Sequence, residues 1–194
     1  MLFRSVMRII AGVAKGRNLA SVAGATRPTS DRAREALFST LTSEFGEFEN
    51  LKFLDLFAGS GAVGLEALSR GAVTVHAVEK DDAASITIKA NHEIVQSAKP
   101  DGKFHLYSMS AQKFLESQID SHYDIIFIDP PYETKNQAIY DLVNIILKRE
   151  ILNKNGVMVI ERATKSEPFI WPKPLHELRT KEYGVATLYY GEMK

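Results

Sequence analysis

Four consecutive residues have the types needed to bind and activate an amine. Asp129, Pro130, Pro131 and Tyr132 directly follow the apolar run 125–128. The Asp129 carboxylate and the Pro130 carbonyl can accept both N–H bonds of an amine on an aromatic ring, which frees its lone pair. The prolines offer no N–H groups and stiffen the loop, and the Tyr132 ring can stack on a base. The tetrapeptide therefore indicates chemistry on an exocyclic amine; the alternative is a rigid turn after a strand.

A glycine-rich loop forms a second candidate site. Gly59, Gly61 and Gly64 fill the pattern G-x-G-x-x-G, and Glu79 lies twenty residues after Gly59, at the end of the next predicted strand. Glycines let backbone amides approach a ligand, a helix N-terminus favours a negative group, and a strand-end carboxylate can accept both hydroxyls of a ribose. The loop predicts a nucleoside-bearing cofactor, either S-adenosylmethionine or a nicotinamide or flavin nucleotide. The alternative is a structural turn beside a solvated acid.

Both motifs together favour S-adenosylmethionine and methylation of an amine. A nicotinamide-dependent oxidoreductase would use the glycine loop but leave Asp129 to Tyr132 unexplained. The chain contains no cysteine, which excludes disulfides, thiolate zinc sites and a cysteine nucleophile. Methylation of a pyrimidine ring carbon generally needs such a nucleophile, whereas amine methylation needs only alignment of the reacting atoms. The five histidines show no metal-ligand spacing, and we predict no metal site.

Strands and helices are predicted to alternate from residue 52 onwards. The strands are expected at 52–57, 73–78, 103–107, 124–128 and 157–160, and the helices at 62–70, 82–98, 111–118 and 137–149. This alternation predicts a parallel sheet with helices on both faces. The last two strands, 177–183 and 185–190, are joined through Gly184 alone and must be antiparallel. The predicted fold class is α/β, with a Rossmann-like sheet that ends in an antiparallel C-terminal hairpin.

The charges of the chain are unevenly distributed although their sum is zero. Residues 1–35 carry seven basic and two acidic side chains, a net of +5, so the other 159 residues carry −5. A neutral total argues against a nucleic-acid partner, but a basic arm on an acidic body favours one.

The basic arm is predicted to fold as a small hairpin followed by a helix. Two short strands are expected at 8–11 and 17–19, with Gly12 and Gly16 around the turn. Ser30 can cap the helix. Its predicted apolar face consists of Ala33, Ala36, Leu37, Leu41 and Phe45. We therefore place Arg27, Arg32 and Arg34 away from the core, where they suit contacts with phosphate; the alternative is a solvated helix face.

The length of 194 residues and the 45% hydrophobic content fit one soluble globular protein with a short extension. No uncharged apolar run approaches the roughly 18 residues of a membrane span, and residues 1–6 do not form a secretory signal. We expect a cytoplasmic protein that is a monomer and has no membrane partner.

Four stretches of the sequence resemble one family. They are 7–12 with 15–17, 27–38, 55–61 and 129–132. In order and spacing they are similar to the RsmD-type 16S ribosomal RNA guanine-N2 methyltransferases of bacteria. The first two stretches carry this specific resemblance, because many amine methyltransferases share the other two. The family's usual start falls near Met7, which makes Met7 as well as Met1 a candidate initiator.

The resemblance implies a class I S-adenosylmethionine-dependent methyltransferase fold over 46–194, with an RNA-binding extension over 1–45. It implies that Glu79 holds the cofactor ribose, that Ser110 or Ala111 borders its adenine, and that Asp129 to Tyr132 hold the target guanine. With the loop residues, the expected cofactor site is Asp55, Phe57, Ala58, Gly59, Gly61, Glu79, Ser110 and Ala111. The expected RNA-binding residues are Arg8, Lys15, Arg17, Arg27, Thr29, Arg32 and Arg34. The expected partner is 16S rRNA in the small ribosomal subunit or its assembly intermediate.

Two other readings stay open at this point. A methyltransferase acting on adenine-N6 of DNA or of another RNA would share both motifs, although a DNA enzyme usually carries a target-recognition insertion that these loops are too short to contain. A binding module that coats RNA without turnover would have no physical need of intact cofactor and acceptor loops.

Overall fold

A computed structural model of the chain describes residues 7–22, 31–117 and 121–193. Within these residues the helices are α1 (Asp31–Phe45), α2 (Ala62–Ser69), α3 (Asp82–Gln96), α4 (Ala111–Glu116) and α5 (Asn136–Lys148). The strands are β1 (Lys52–Asp55), β2 (Thr74–Glu79), β3 (Lys103–Ser108), β4 (Tyr123–Ile128), β5 (Leu152–Ala163), β6 (His176–Tyr183) and β7 (Ala186–Glu192).

The strands form a single twisted sheet in the order β3-β2-β1-β4-β5-β7-β6. Strands β1 to β5 pair in parallel, and β7 runs antiparallel to both β5 and β6. The predicted α/β fold with an antiparallel C-terminal hairpin is confirmed. Because the strand order reverses between β1 and β4, the loops after these two strands open a crevice at the carboxyl edge of the sheet.

Each face of the sheet has its own hydrophobic core. On one face, α1 and α2 pack on β1, β4, β5 and β7 through residues such as Leu41, Leu65 and Phe127. On the other face, α4 and α5 pack through residues such as Phe114 and Ile146. Helix α2 is buried along its whole length, since it lies between the sheet and the N-terminal segment 7–22.

The N-terminal segment 7–22 is held on α2 and α3 by buried polar side chains. Glu66 of α2 accepts hydrogen bonds from the N–H groups of Ile10 and Ala11 at 2.7 and 3.0 Å. Asn91 of α3 accepts from the Ala20 N–H at 2.7 Å and donates to the Ala20 carbonyl at 2.9 Å. Met7, Ile9, Ala14 and Leu19 join the same core as the sheet. The hydrophobic core is therefore continuous across residue 45, where we predict the boundary of the extension.

The predicted hairpin strands at 8–11 and 17–19 were wrong in extent. Within residues 7–22 the structure forms one antiparallel bridge, between Arg8 and Asn18. The chain turns away after it because Gly12, at φ 81°, lies against α2: a Cβ there would be 1.8 Å from the Ser69 carbonyl oxygen. The antiparallel pairing is therefore short: the Leu19 N–H donates to the Met7 carbonyl at 2.8 Å and the Ile9 N–H to the Arg17 carbonyl at 3.0 Å, and beyond Ile9 the chain packs on α2.

The placement of Arg34 on the outer side of α1 was also wrong. Its side chain has no exposed surface, and it donates to the Arg8 carbonyl and to Asp31, the latter at 2.8 Å. The buried face of α1 also includes Phe38 and Thr40, so it is wider than the predicted apolar stripe. Arg34 joins the N-terminal segment to α1 and is not available to a phosphate.

Strand boundaries differ from the prediction in β1 and β5, and β5 also continues three residues past its predicted end to Ala163, so that it contains Glu161 and Arg162. β1 ends at Asp55, because the backbone turns into the glycine loop there. β5 begins at Leu152, five residues earlier than predicted, since Leu152 already pairs with Tyr123 before an irregular stretch around Asn155, which has φ 63°.

Candidate active site

One end of the crevice is formed by the loop after β1 and the end of β2. Glu79 accepts hydrogen bonds from the N–H groups of Gly59 and Asp81, at 2.8 and 2.9 Å, one on each carboxylate oxygen. Gly59 adopts φ 54°, and a Cβ built on it would meet no atom within 4 Å. Gly61, at φ 79°, is the residue that precedes α2. The loop thus leaves open space beside a carboxylate that still has acceptor sites. We call this the cofactor end.

Asp55 lies beneath the glycine loop and is fully buried. It accepts a hydrogen bond from the Gly64 N–H at 3.2 Å. Burial, with the nearby negative charges of Asp129 and Glu79, raises the pKa of Asp55 to about 7. Asp55 therefore does not line the cavity; it holds the glycine loop and the start of α2 in position through its hydrogen bond with Gly64.

The other end of the crevice is the loop that follows β4, residues 129–134, which we call the acceptor loop. Pro130 is buried, whereas Asp129 and Tyr132 are half-buried and Pro131 is exposed. The Pro131 carbonyl accepts from the Thr134 N–H at 2.9 Å. Among residues 7–22, 31–117 and 121–193, no N–H donates to the Pro130 carbonyl. The acceptor loop can therefore offer a substrate amine both the Asp129 carboxylate and this carbonyl.

Two consecutive charged residues at the end of β5 hold the acceptor loop. The Tyr132 hydroxyl donates to Glu161 at 3.4 Å, and the Arg162 guanidinium donates to the Thr134 carbonyl. Both side chains are buried, with 3% of the surface of each residue exposed. Burial lowers the pKa of Arg162, and the charge of Asp129 opposes that shift.

A single open cavity of about 650 Å³ joins the cofactor end to the acceptor loop. Of the predicted site residues, those that line it are Phe57, Gly59, Glu79, Ser110, Ala111, Asp129, Pro130, Pro131 and Tyr132. Asp55, Ala58 and Gly61 lie behind this lining, buried under the loop. The structure thus brings the two sequence motifs, which are 65 residues apart between Gly64 and Asp129, to one cavity.

The residues at the cofactor end fit S-adenosylmethionine. Glu79 lies where it can accept ribose hydroxyls, and the open space beside Gly59 leaves room for the cofactor. Ser110 caps α4 by accepting from the Lys113 N–H at 3.2 Å, and the buried Ala111 follows it at the cavity wall. The acidic lining also suits a sulfonium cation. Among the described residues, no group of three or more His, Asp or Glu side chains is arranged to hold a metal ion.

Of the predicted RNA-binding residues that the structure describes, none lines the cavity. Arg8, Lys15, Arg17 and Arg32 are exposed. Arg27 and Thr29 lie outside the described residues, as does the expected helix cap Ser30. The segment that carries three of the exposed cations touches the glycine loop, where the Ser60 hydroxyl lies 3.5 Å from the Met7 sulfur.

Sequence reasoning missed the contribution of β5 and of the C-terminal hairpin. Glu161, Tyr183, Val185 and Ala186 all line the cavity. Glu161 could have been found, because it directly follows the predicted apolar strand 157–160, as Asp129 follows the predicted strand 124–128. Tyr183 and Val185 could not, since a hairpin turn carries no sequence feature that says which cavity it faces.

The strand order, the cofactor loop after β1 and the acceptor loop after β4 define a Rossmann-like class I S-adenosylmethionine-dependent methyltransferase fold. Comparison with known proteins adds the family. The chain belongs to the family described as Conserved hypothetical protein 95, whose model matches residues 7–192.

Curated relatives and solved structures agree with this assignment. A candidate rRNA methyltransferase, YlbH, of Bacillus subtilis is 36% identical over 92% of this chain and 95% of its own length. Ribosomal RNA small subunit methyltransferase D of Haemophilus influenzae is 32% identical over 93% of this chain and 91% of its own length. The structure of a candidate methyltransferase, yhhF, of Escherichia coli has a TM-score of 0.82 at 28% identity, and the match covers 97% of this chain and 98% of that one.

No helix among the described residues is long and apolar enough to cross a membrane.

Proposed function

We propose that this protein is an rRNA methyltransferase that transfers a methyl group from S-adenosylmethionine to the exocyclic N2 amine of a guanine in small-subunit rRNA. The observation that carries the proposal is the cavity that joins Glu79 and Gly59 to the Asp129–Tyr132 loop. The two curated relatives described above, named for rRNA and small-subunit rRNA methylation, support an RNA substrate. The choice of guanine N2 rests on the family resemblance of the N-terminal stretches.

In this proposal the acceptor loop activates the substrate amine. The Asp129 carboxylate and the Pro130 carbonyl each accept one N–H of N2, which draws the nitrogen out of conjugation with the ring and directs its lone pair across the cavity. S-adenosylmethionine, when bound, supplies a methyl group on a positively charged sulfur. Transfer to N2 would form the new N–C bond while the C–S bond breaks, and the bonding electrons would stay on the sulfur. Asp129 is placed to take the proton that N2 then loses.

The remaining residues of the site hold the reactants in line. Glu79 fixes the ribose, Tyr132 stacks on the base, and the buried Pro130 keeps the acceptor loop rigid. Positioning of this kind can supply most of the rate enhancement, because the reaction needs no other catalytic group. The target guanine has to leave its helix or loop in order to reach the cavity.

RNA is held outside the cavity in this proposal. Arg8, Lys15, Arg17 and Arg32 are exposed cations on or beside the segment packed against the glycine loop, and they suit contacts with phosphate. The acidic cavity itself repels phosphate, so the backbone of the RNA stays at its rim. We propose that the protein acts in the cytoplasm as a monomer on the small subunit or its assembly intermediate.

A panel of acceptors tests the substrate. The purified protein is incubated with methyl-labelled S-adenosylmethionine and unmodified small ribosomal subunits, naked 16S rRNA, transfer RNA or DNA. Label is expected in small-subunit rRNA. Label confined to DNA, transfer RNA or protein would overturn the proposal.

A further inference from the structure

Glu161, near the end of β5, lines the cavity but has no role in the methyl-transfer step proposed above. Glu161 is buried, lines the cavity and accepts a hydrogen bond from the Tyr132 hydroxyl at 3.4 Å. Strands β4 and β5 pair in parallel, and Ile128 is in register with Ile160. Asp129 and Glu161 each come one residue after that pair. Adjacent strands lie about 4.8 Å apart, so the two carboxylates begin from neighbouring backbone positions.

Both side chains also leave the sheet on the same face. Phe127 and Val159, two residues before them, belong to the core that contains α1 and α2, whereas Ile128 and Ile160 belong to the opposite core. Because side chains alternate along a strand, Glu161 lies on the same face of the sheet as Val159. The same alternation, continued one residue past the end of β4, places Asp129 on the face of Phe127. The Arg162 side chain leaves β5 on the opposite face of the sheet, and its guanidinium donates to the Thr134 carbonyl of the acceptor loop.

The Watson–Crick edge of guanine matches this pair of acceptors. Guanine presents N–H donors at N1 and N2 side by side, whereas adenine presents a lone pair at N1. If Asp129 and the Pro130 carbonyl take the two N2 donors, the remaining donor of that edge, N1–H, needs an acceptor beside Asp129. An ionised carboxylate has hydrogen-bond acceptors and no donor, so it accepts N1–H of guanine and repels the N1 lone pair of adenine.

We propose that Glu161 is a specificity-determining residue that accepts the N1–H of the target base and so selects guanine over bases with an unprotonated N1. This inference rests on the proposed function, and it assigns to that site a residue that the sequence motifs do not include. In this proposal Tyr132 has two roles: its ring stacks on the base, and its hydroxyl orients the Glu161 carboxylate.

The test compares two bases that carry the same amine. Small subunits are reconstituted with RNA that holds guanine or 2-aminopurine at the methylated position. 2-Aminopurine keeps the amine at C2 but has a lone pair at N1. The wild-type enzyme is expected to prefer guanine by about 10²-fold in kcat/KM, since a buried acceptor without its donor is costly.

The variant Glu161→Gln is expected to narrow that preference at least about tenfold, because a carboxamide can turn its NH₂ group towards the N1 lone pair. 2-Aminopurine also lacks the O6 atom of guanine, but this loss affects the wild type and Glu161→Gln equally. The difference between their guanine preferences therefore reports only the contact at N1. Affinity for S-adenosylmethionine is expected to stay within about threefold. Glu177→Gln, an exposed substitution on β6, is the matched control and should leave the ratio unchanged.

Tyr132→Phe provides a second route that keeps the ring and the buried carboxylate. It is expected to narrow the same ratio by a smaller factor, and it decides the question if Glu161→Gln fails to fold. If the Glu161→Gln protein folds, an unchanged ratio of kcat/KM for guanine to that for 2-aminopurine would overturn the role of Glu161. If the Glu161→Gln protein does not fold, an unchanged ratio in Tyr132→Phe would do so. A wild-type enzyme that makes no N2-methylguanosine would instead overturn the proposed function itself.

Discussion

The two ends of the cavity are built in different ways. At the cofactor end, Glu79 binds the backbone of Gly59 and Asp81, which lie 20 and 2 residues from it along the chain. At the acceptor end, Tyr132 and Thr134 are held by Glu161 and Arg162, from another strand 29 and 28 residues away. The first end is a local strand–loop–helix unit, whereas the second depends on how β4, β5 and the C-terminal hairpin pack together. Cofactor binding and substrate choice can therefore change independently.

Removing the Asp129 carboxylate should give the largest difference between the two ends of the cavity, because it affects turnover and not cofactor binding. Asp129→Ala is expected to lower kcat by about 10³-fold, the range seen when one preorganised polar group is removed from an active site. Its affinity for S-adenosylmethionine, measured by calorimetry, should stay within about threefold. Asp101→Ala, an exposed substitution in the turn before β3, is the control for both measurements. Near-normal turnover of Asp129→Ala would remove this residue from the mechanism.

Asp55, which is buried under the glycine loop, should make the free energy of unfolding depend on pH. The folded state holds the pKa of Asp55 at about 7, above its usual value, so between pH 4 and 7 the folded protein keeps a proton that the unfolded chain has lost. The free energy of unfolding therefore falls as pH rises through this range, by up to about 4 kcal/mol from this group.

Urea unfolding of the wild type and of Asp55→Asn between pH 4 and 8 measures this contribution. The difference in unfolding free energy, wild type minus variant, should become steadily more negative up to pH 7 and then level off. Parallel pH profiles of the two proteins would show that Asp55 is ionised at neutral pH.

Removing the ribose-binding carboxylate should affect the cofactor end alone. Glu79→Ala loses charge-assisted hydrogen bonds to two backbone amides and to the cofactor, each worth about 1.5–3 kcal/mol. The Kd for S-adenosylmethionine is expected to rise about 10- to 100-fold, with kcat at saturating cofactor within about fivefold of the wild type. An unchanged Kd by calorimetry would mean that Glu79 only shapes the loop.

The smallest effect is expected outside both ends. Arg32 is exposed on α1, and Arg32→Ala should weaken RNA binding about two- to fivefold and lower the slope of log K against log salt by about 0.7 to 0.9. Its free energy of unfolding and its affinity for S-adenosylmethionine should not change.

Arg34, two residues along the helix, is the matched contrast. Arg34→Met removes a buried cation that binds Asp31 and the Arg8 carbonyl, and is expected to cost about 1–3 kcal/mol of stability because that carbonyl loses its donor. A salt slope that changes with Arg34 but not with Arg32 would reverse these two assignments.

The same contrast explains what could be predicted from the sequence. The parallel sheet, the C-terminal hairpin and the cofactor end follow from periodicity and from glycines at fixed spacing, because those features act over short stretches of chain. The prediction for Arg34 is wrong because it rests on the apolar stripe of α1 alone; the burial of Arg34 depends on its contact with the Arg8 carbonyl, which belongs to the N-terminal segment. Arg162 could not be predicted, because its contact with the acceptor loop depends on the register of β4 with β5; Glu161 could have been, from its position after the apolar run 157–160.

Identification of the methylated nucleoside tests the central claim most directly. Small subunits treated with the enzyme and methyl-labelled S-adenosylmethionine are digested to nucleosides, which are separated and identified by mass. The account predicts that the label is in N2-methylguanosine with the wild type and that Asp129→Ala forms this nucleoside about 10³-fold more slowly. Label in N6-methyladenosine, or on a ring carbon, would contradict it.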